Sequence, residues 1–325
     1  MPGGKSGNGW VTCELGHEHW GLFGAAGLLA YVAHPTDPAM SLVLLQHRSR
    51  WSHHGGTWSL PGGAMDSDET PAEAALREAD EECMLDPKLV VPRGLHTDEH
   101  GGWAYHTVLA QAAEPLRVRA DGYESDEAVW RPAGEVDRLD LHPGFAASWP
   151  VLRAALAPLT VFVDGTGTAG TRPGSDDPDD AGRRLHARLT DLTRSGVTVP
   201  PDGVAAPALT RWYPDYVLVL EAAAAAAAAR SAADDAARKA SEAPRFSWNE
   251  PLTVRTAEIR IVAVTDGAHA DDVLKDLAAS TPGRRLVVSD RRIARDHGES
   301  AAPLLIADRT VVPRAEPSGG TGHER

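Results

Sequence analysis

The chain has little cysteine and no long hydrophobic run, and each absence excludes a class of protein. Its two cysteines, Cys13 and Cys83, lie far apart without CxxC or cysteine–histidine spacing, so we expect neither a disulfide framework nor a zinc site. The longest apolar stretches, residues 21–33 and 217–229, are too short to span a bilayer. Residues 1–9 lack the basic region and apolar core of an export signal, so we expect a cytoplasmic protein.

Positive charge is also scarce. The 325 residues include 32 Lys and Arg against 46 Asp and Glu, which gives a formal net charge of −14. Such a surface repels phosphate backbones and anionic membranes, so we expect neither non-specific DNA binding nor a membrane partner. A small phosphorylated ligand can still bind through a metal ion or a local basic cluster.

The composition changes near Pro158, which predicts two domains at residues 10–157 and 158–312, followed by a disordered tail at 313–325. Apolar patterning in the first half predicts strands at 23–33, 41–48 and 103–112, and a closing helix at 145–156. In the second half it predicts strands at 159–163, 216–220, 259–264 and 286–288, alternating with helices at 181–195, 221–243 and 271–280. Alternation of this kind is typical of a mainly parallel α/β sheet.

One helix in the first half begins with a clear signal. Thr70 and Glu73 form a capping box around Pro71 at the first helical position. On the opposite side from its apolar stripe, Glu78, Glu81 and Glu82 occupy positions i, i+3 and i+4 of one helix face.

Three carboxylates on one face repel one another unless a cation lies between them, and oxygen ligands suit Mg²⁺ or Mn²⁺. The preceding Leu60-Pro61-Gly62-Gly63 is expected to form a tight loop whose backbone can approach a ligand. Loop and helix together predict a site for a metal ion and a pyrophosphate. The alternative is a solvated helix face on which Arg77 and Glu81 pair at i, i+4.

These residues resemble the Nudix box, in which Gly is followed after five residues by Glu and after seven more by Arg-Glu-apolar-x-Glu-Glu. The matching positions are Gly63, Glu69, Arg77, Glu78, Glu81 and Glu82. Six fixed positions match by chance with a probability of about 10⁻⁷ per start site. The resemblance extends over residues 10–156, including the lead-in at 57–63 and a late acidic loop at 124–130.

The closing glycine of the box is Met84 in this chain. If that position ends the helix in a left-handed conformation, methionine costs about 1 to 2 kcal/mol there. The alternative is a helix that continues toward Asp86-Pro87.

The resemblance to Nudix hydrolases implies an α/β/α sandwich with a mixed sheet, and hydrolysis of a nucleoside triphosphate or another nucleoside diphosphate derivative with Mg²⁺ or Mn²⁺. It implies that Glu78, Glu81, Glu82 and the Gly63 carbonyl bind the metal, and that Arg77 pairs with Glu69. The general base is a carboxylate of the box or one of the later loop. The remaining candidates are Glu124 and Glu127 for the base and Arg48, Gly62 and Gly63 for the substrate.

Histidines outside the box have simpler interpretations. His17 and His19, like His96 and His100, lie on predicted loops at loose spacing, and we expect them to face solvent rather than to bind a metal.

The second half places carboxylates where open α/β sheets bind ligands, beyond the carboxyl ends of parallel strands. Asp164 and Asp290 follow two predicted strands, and Asp271 and Asp272 begin a helix. The pattern partly resembles PIN or NYN-type nucleases, although Gly167 replaces the expected asparagine. Helix capping explains Asp271 and Asp290 equally well. The alternative to an active nuclease is a degenerate relative that is used for packing or binding. Two alternatives to a Nudix hydrolase follow: an RNA-processing protein with a ribonuclease domain, and a non-catalytic nucleotide-binding regulator.

Overall fold

The computed structural model describes residues 5–166, 178–198, 209–242, 257–264, 268–289 and 305–308. The predicted tail at 313–325, Asp290 and Gly167 lie outside these residues. Within them the chain forms two large sheets and a separate two-stranded hairpin. No helix among the described residues is both long enough and apolar enough to cross a membrane.

The first half of the chain forms a mixed sheet. Its strands are β1 (Trp10–Thr12), β2 (Glu18–Trp20), β3 (Ala25–Val32), β4 (Leu42–Arg48), β5 (Trp58–Ser59), β6 (Gly62–Ala64), β7 (Val90–Glu99), β8 (Ala104–Ala112) and β9 (Ser125–Pro132). Its helices are α1 (Pro71–Cys83) and α2 (Pro143–Ala154), with 3₁₀ turns at Pro38–Met40, Pro87–Leu89 and Ala133–Arg138. β1 and β2 form the hairpin, β3 runs parallel to β8, and the pairs β3–β4, β4–β9 and β7–β8 are antiparallel.

Helices cover both faces of this sheet, because successive residues of the buried strand β3 point to opposite sides. Leu28 packs in the same core cluster as Leu76 of α1. Leu29 belongs to a second cluster, which includes Trp149 and Leu152 of α2. The predicted α/β/α sandwich with a mixed sheet is confirmed.

The second half forms a parallel sheet. Its elements are β10 (Leu159–Asp164), α3 (Pro178–Ser195), β11 (Arg211–Trp212), β12 (Asp215–Glu221), α4 (Ala222–Glu242), β13 (Ile259–Val264), α5 (Ala270–Ser280), β14 (Arg284–Ser289) and β15 (Leu305–Asp308). The strand order is β13-β12-β10-β14-β15, and every pair is parallel. The predicted mainly parallel sheet is confirmed, and this architecture by itself does not establish a PIN or NYN relationship.

The two sheets are joined by direct contacts. β11 pairs antiparallel with β7 and so adds a strand from the second half to the first sheet. Arg93 on β7 donates from Nη1 to Asp215 Oδ1 on β12 at 2.5 Å. Trp212 lies in the same core cluster as Trp149 of α2. The apolar core is therefore continuous between the halves.

Candidate active site

The helix that carries the candidate site is fixed at its start by the predicted capping box. Thr70 Oγ1 accepts a hydrogen bond from the Glu73 backbone N–H at 3.3 Å, and Glu73 Oε2 accepts one from the Thr70 N–H at 2.8 Å. Pro71 begins the helix, where its missing N–H costs nothing. This cap sets the rotation of α1 and therefore the face on which its carboxylates lie.

The helix ends at Cys83, and Met84 adopts the left-handed conformation with φ 53° and ψ 34°. The Met84 N–H donates to Asp80 O at 2.8 Å, and the Leu85 N–H donates to Ala79 O at 3.2 Å. Of the two alternatives left open by the sequence, the structure has the left-handed helix end, and the helix does not continue toward Asp86. An L-residue is thus strained where the family pattern has glycine.

Arg77 is the centre of an ionic network. Its guanidinium forms a bidentate pair with Glu69, with distances of 2.6 Å from Nε and 2.9 Å from Nη2. Nη1 donates to Glu78 at 2.7 Å and to Glu81 at 3.2 Å, while Nη2 also reaches Ala64 O at 3.0 Å. The hydrogen bond from Arg77 holds the pKa of Glu69 below its usual value.

The same network acts on the repulsion among the carboxylates of α1. The Arg77 guanidinium offsets part of this repulsion, because it donates to Glu78 and Glu81, but its single charge is shared with Glu69 and does not reach Glu82. The pairing of Arg77 with Glu69 is the one that the family resemblance implies, and it fixes the segment before α1 against the helix.

Glu82 is the most buried of the three helix carboxylates, with 4% of its surface exposed. Its Oε2 accepts hydrogen bonds from the Gly62 N–H at 2.7 Å and from Gln46 Nε2 at 3.1 Å. The pKa of Glu82 is raised to about 8, mainly by burial and also by the charges of Glu78 and Glu124, against the opposing hydrogen bond from Gly62. A buried carboxylate with this shift favours a ligand that stabilises its charge.

The glycines before α1 make this arrangement possible. A Cβ on Gly63 would lie 2.6 Å from Glu78 Oε1, and one on Gly62 would lie 2.5 Å from Ala26 O. The expected loop at Gly62-Gly63 is in fact the short strand β6, which pairs with β3. The loop prediction failed because its hydrogen-bond partner lies 37 residues earlier, at Ala26 opposite Gly63. Burial also raises the pKa of Glu78.

The second set of acidic candidates lies on β9 and the turn before it. The expected loop at 124–130 is a strand from Ser125 onward, because it pairs with β4. The side chain of Asp121 accepts hydrogen bonds from the N–H groups of Glu124 and Ser125 at 3.1 and 2.9 Å, which fixes the turn. Glu124 is exposed and close enough to α1 to raise the pKa of Glu78 and Glu82, whereas Glu127 lies opposite His47 in the ladder.

Arg48 brings positive charge to the edge of this cluster. It ends β4, and its Nε donates to His53 O at 3.0 Å. Its charge opposes the rise in the pKa of Glu82, which places Arg48 near that carboxylate.

Gln46 is a site residue that the sequence analysis missed. It is fully buried on β4 and donates to both Glu82 Oε2 and Leu60 O. Its Oε1 accepts a hydrogen bond from Ser125 Oγ. The available signal was a single amide directly after the four apolar residues that begin β4.

The donor set on α1 fits a hard divalent cation. Glu78, Glu81 and Glu82 lie on one face over adjacent turns, and their oxygens are the ligands that Mg²⁺ and Mn²⁺ prefer. Glu81 is largely exposed and free to turn. A cation would compete with Arg77 for Glu78 and Glu81 and with Gly62 for Glu82.

The acidic candidates of the second sheet lie on two separate elements, β10 and α5. Asp164 is buried at the end of β10, and its Oδ1 accepts from the Thr166 N–H at 2.9 Å and from Thr166 Oγ1 at 2.6 Å. Asp271 and Asp272 begin α5, where Asp272 lies 4.0 Å from Lys275. Among the described residues, neither three carboxylates of this sheet nor the three of α1 bring one oxygen each to within 4.8 Å of one another. The nuclease resemblance is not established.

Comparison with known proteins identifies the first half. The NUDIX domain model matches residues 27–154. A Mycobacterium tuberculosis protein named "Putative 8-oxo-dGTP diphosphatase 3" is 43% identical over 206 residues, covering 56% of this chain and 93% of that protein. A Bifidobacterium longum "Nucleoside triphosphate pyrophosphatase/Nudix hydrolase fusion protein" is 39% identical over 157 residues, covering 48% of this chain and 33% of that protein.

Among solved structures, the M. smegmatis Nudix hydrolase RenU is 48% identical, covering 45% of this chain and 93% of that chain with a TM-score of 0.42. The extent and identity of the mycobacterial sequence match carry the assignment. The chain belongs to the Nudix hydrolase family and is a pyrophosphohydrolase of nucleoside phosphates.

Proposed function

We propose that this protein hydrolyses a nucleoside triphosphate to the monophosphate and pyrophosphate with Mg²⁺ or Mn²⁺, in a domain formed by residues 10–157. The observation that carries the proposal is the placement of Glu78, Glu81 and Glu82 on one face of α1, with Glu82 buried beside Gly62. Residues 158–312 form a second domain, for which we propose no catalytic role.

Glu78, Glu81, Glu82 and the Gly63 carbonyl would hold the cation. When bound, it supplies Lewis-acid neutralisation of the polyphosphate and of the charge that develops on the leaving oxygen. Arg77 is a positioning residue, because its pairs with Glu69 and Ala64 O hold α1 against the Gly62–Ala64 strand.

Glu124 is the better placed of the two candidates for the general base. It is exposed, and its charge acts on both Glu78 and Glu82, so its carboxylate lies at the open side of the site. It would accept the proton of the attacking water as the new P–O bond forms and the P–O–P bridge breaks. Glu127, opposite His47 on β4, is the alternative.

The substrate contacts would come from Arg48 and the backbone at Gly62 and Gly63, which border the carboxylates. For the nucleobase of the substrate we propose an oxidised guanine, because the mycobacterial relative is named "Putative 8-oxo-dGTP diphosphatase 3". Turnover of 8-oxo-dGTP, dGTP, ADP-ribose, a dinucleoside polyphosphate and a nucleotide sugar, measured side by side, tests this choice.

The experiment compares Glu82→Gln with Glu114→Gln, a matched change at an exposed residue outside the site. We expect Glu82→Gln to lower kcat/KM by at least about 100-fold, because it removes a ligand that acts on transition-state charge. Glu114→Gln should match the wild type. Equal activity of all three proteins, or nucleotide binding without turnover by the wild type, would refute the proposal.

A further inference from the structure

A cysteine and three histidines meet where the β1–β2 hairpin lies against the turn between β7 and β8. Cys13, His17 and His19 lie on the β1–β2 hairpin, and His100 lies on the turn between β7 and β8. Their potential ligand atoms all lie within 4.8 Å of one another. The structure thus brings together residues that the sequence analysis expected to be separate and solvated.

The backbone holds these side chains in place. The Cys13 N–H donates to His17 O at 2.9 Å, and the Gly16 N–H donates to Cys13 O at 2.9 Å, which closes the hairpin turn. The Glu14 N–H donates to Gly101 O at 2.9 Å and ties the hairpin to the β7–β8 turn. Backbone hydrogen bonds therefore hold the hairpin and the β7–β8 turn side by side.

Two nitrogen atoms in the cluster are buried without a hydrogen-bond partner. They are His19 Nε2 and His100 Nδ1. An unpaired buried polar atom costs about 1 to 3 kcal/mol, so such atoms are rare unless an ion or water satisfies them. His19 and His100 both belong to the group of residues whose ligand atoms lie within 4.8 Å of one another.

Contacts with neighbouring side chains orient two imidazoles of this cluster. His100 Nε2 lies 3.2 Å from Asp98 Oδ2, so it carries the proton and leaves the Nδ1 lone pair available. His19 stacks on Trp103 with ring centroids 4.0 Å apart.

We propose that Cys13, His17, His19 and His100 bind a structural Zn²⁺ ion through one thiolate and three imidazole nitrogens. Ligand atoms around a tetrahedral zinc ion are about 3.3 to 3.8 Å apart, so closing this site requires shifts of about 1 Å. Binding releases the Cys13 thiol proton to solvent. Sulfur and nitrogen donors select zinc over magnesium, and four protein ligands leave no open position for catalysis.

Such an ion would tie the hairpin to the main sheet at a second place. Trp10 on the hairpin contacts the His53 ring, with centroids 5.7 Å apart, and His53 O accepts a hydrogen bond from Arg48. The zinc site would therefore steady the segment that borders the proposed substrate site.

The test uses full-length protein without a histidine tag, purified without chelator. Elemental analysis should find about one zinc ion per chain, and Cys13→Ser and His100→Ala should both reduce this to below about 0.2. Cobalt substitution should give a thiolate-to-metal charge-transfer band that Cys13→Ser abolishes, although Cys83 remains. Asp98→Ala should weaken zinc binding by about 10 to 100-fold.

Two controls separate this site from the active site and from adventitious binding. His34→Ala changes an exposed histidine elsewhere and should leave the zinc content unchanged. Glu82→Gln should lose turnover and keep its zinc, so failure of the zinc proposal and failure of the hydrolase proposal are distinguishable. The zinc proposal is overturned if the wild type neither contains nor tightly binds zinc, or if Cys13→Ser retains as much as the wild type.

Discussion

Replacing Met84 with glycine should make the protein more stable. Met84 holds a left-handed conformation that costs an L-residue about 1 to 2 kcal/mol. Glycine also gives the unfolded chain extra freedom, which reduces the gain from relieving that strain by about 0.5 to 1 kcal/mol. The side chain is 46% exposed and its Sδ lies 3.2 Å from Arg119 Nη2, a contact of small value. We expect a net gain of about 0.5 to 1 kcal/mol.

Urea unfolding followed by circular dichroism measures the gain, with Met84→Ala as the matched control. Alanine also removes the thioether but keeps the strained Cβ, so it should be less stable than glycine by about 1 kcal/mol. The sign of the stability difference between the glycine and alanine variants is decisive, because glycine in the interior of a helix is about 1 kcal/mol less stable than alanine. If Met84→Ala were more stable to urea than Met84→Gly, the left-handed end of α1 would be refuted.

Three further predictions concern ionic and titrating groups. Arg77→Lys loses the bidentate pair with Glu69 and should lower kcat by about 10 to 100-fold in steady-state assays. Burial lowers the pKa of His142 to about 4, so the free energy of unfolding should fall as the pH drops from 6.5 toward 4. His142→Asn keeps the helix cap and should reduce this loss, which urea unfolding at several pH values measures. Asp215→Ala removes the carboxylate partner of Arg93, which keeps its hydrogen bond to Gln111, and should destabilise the protein to urea by about 2 to 3 kcal/mol.

Each of these predictions has a contrary result. Unchanged turnover in Arg77→Lys would show that the fork geometry of the guanidinium is not needed. An acid transition identical in His142→Asn and the wild type would show that this ring does not titrate as its burial implies. Wild-type stability in Asp215→Ala would mean that the Arg93 pair contributes nothing to the contact between the sheets.

The active-site helix was predictable from sequence because its determinants are local. Thr70, Glu73 and Pro71 set its start, and the i, i+3, i+4 spacing places the glutamates on one face. The second sheet was also predictable, since alternating strands and helices force parallel pairing.

Features that depend on distant partners were not predictable. The backbone at residues 62–64 and 125–130 forms strands only because β3 and β4 pair with it. Gln46 reaches Glu82 across 36 residues, and the hydrogen bond from Arg77 to Glu78 depends on side-chain orientation.

The cysteine–histidine cluster illustrates the same limit more sharply. Cys13 and His100 are far apart in sequence, and no short spacing pattern joins them. They meet because the hairpin lies against the β7–β8 turn, where the Glu14 N–H bonds to Gly101 O.

The central claim is that the carboxylates of α1 form a site for a divalent cation. Mn²⁺ titration followed by electron paramagnetic resonance tests it most directly, with zinc-loaded wild type, Glu82→Gln and Glu114→Gln compared at pH 8.5. The account predicts saturable Mn²⁺ binding that is retained in Glu114→Gln and weakened at least about 10-fold in Glu82→Gln. Equal Mn²⁺ binding by all three proteins, or none by the wild type, would contradict it.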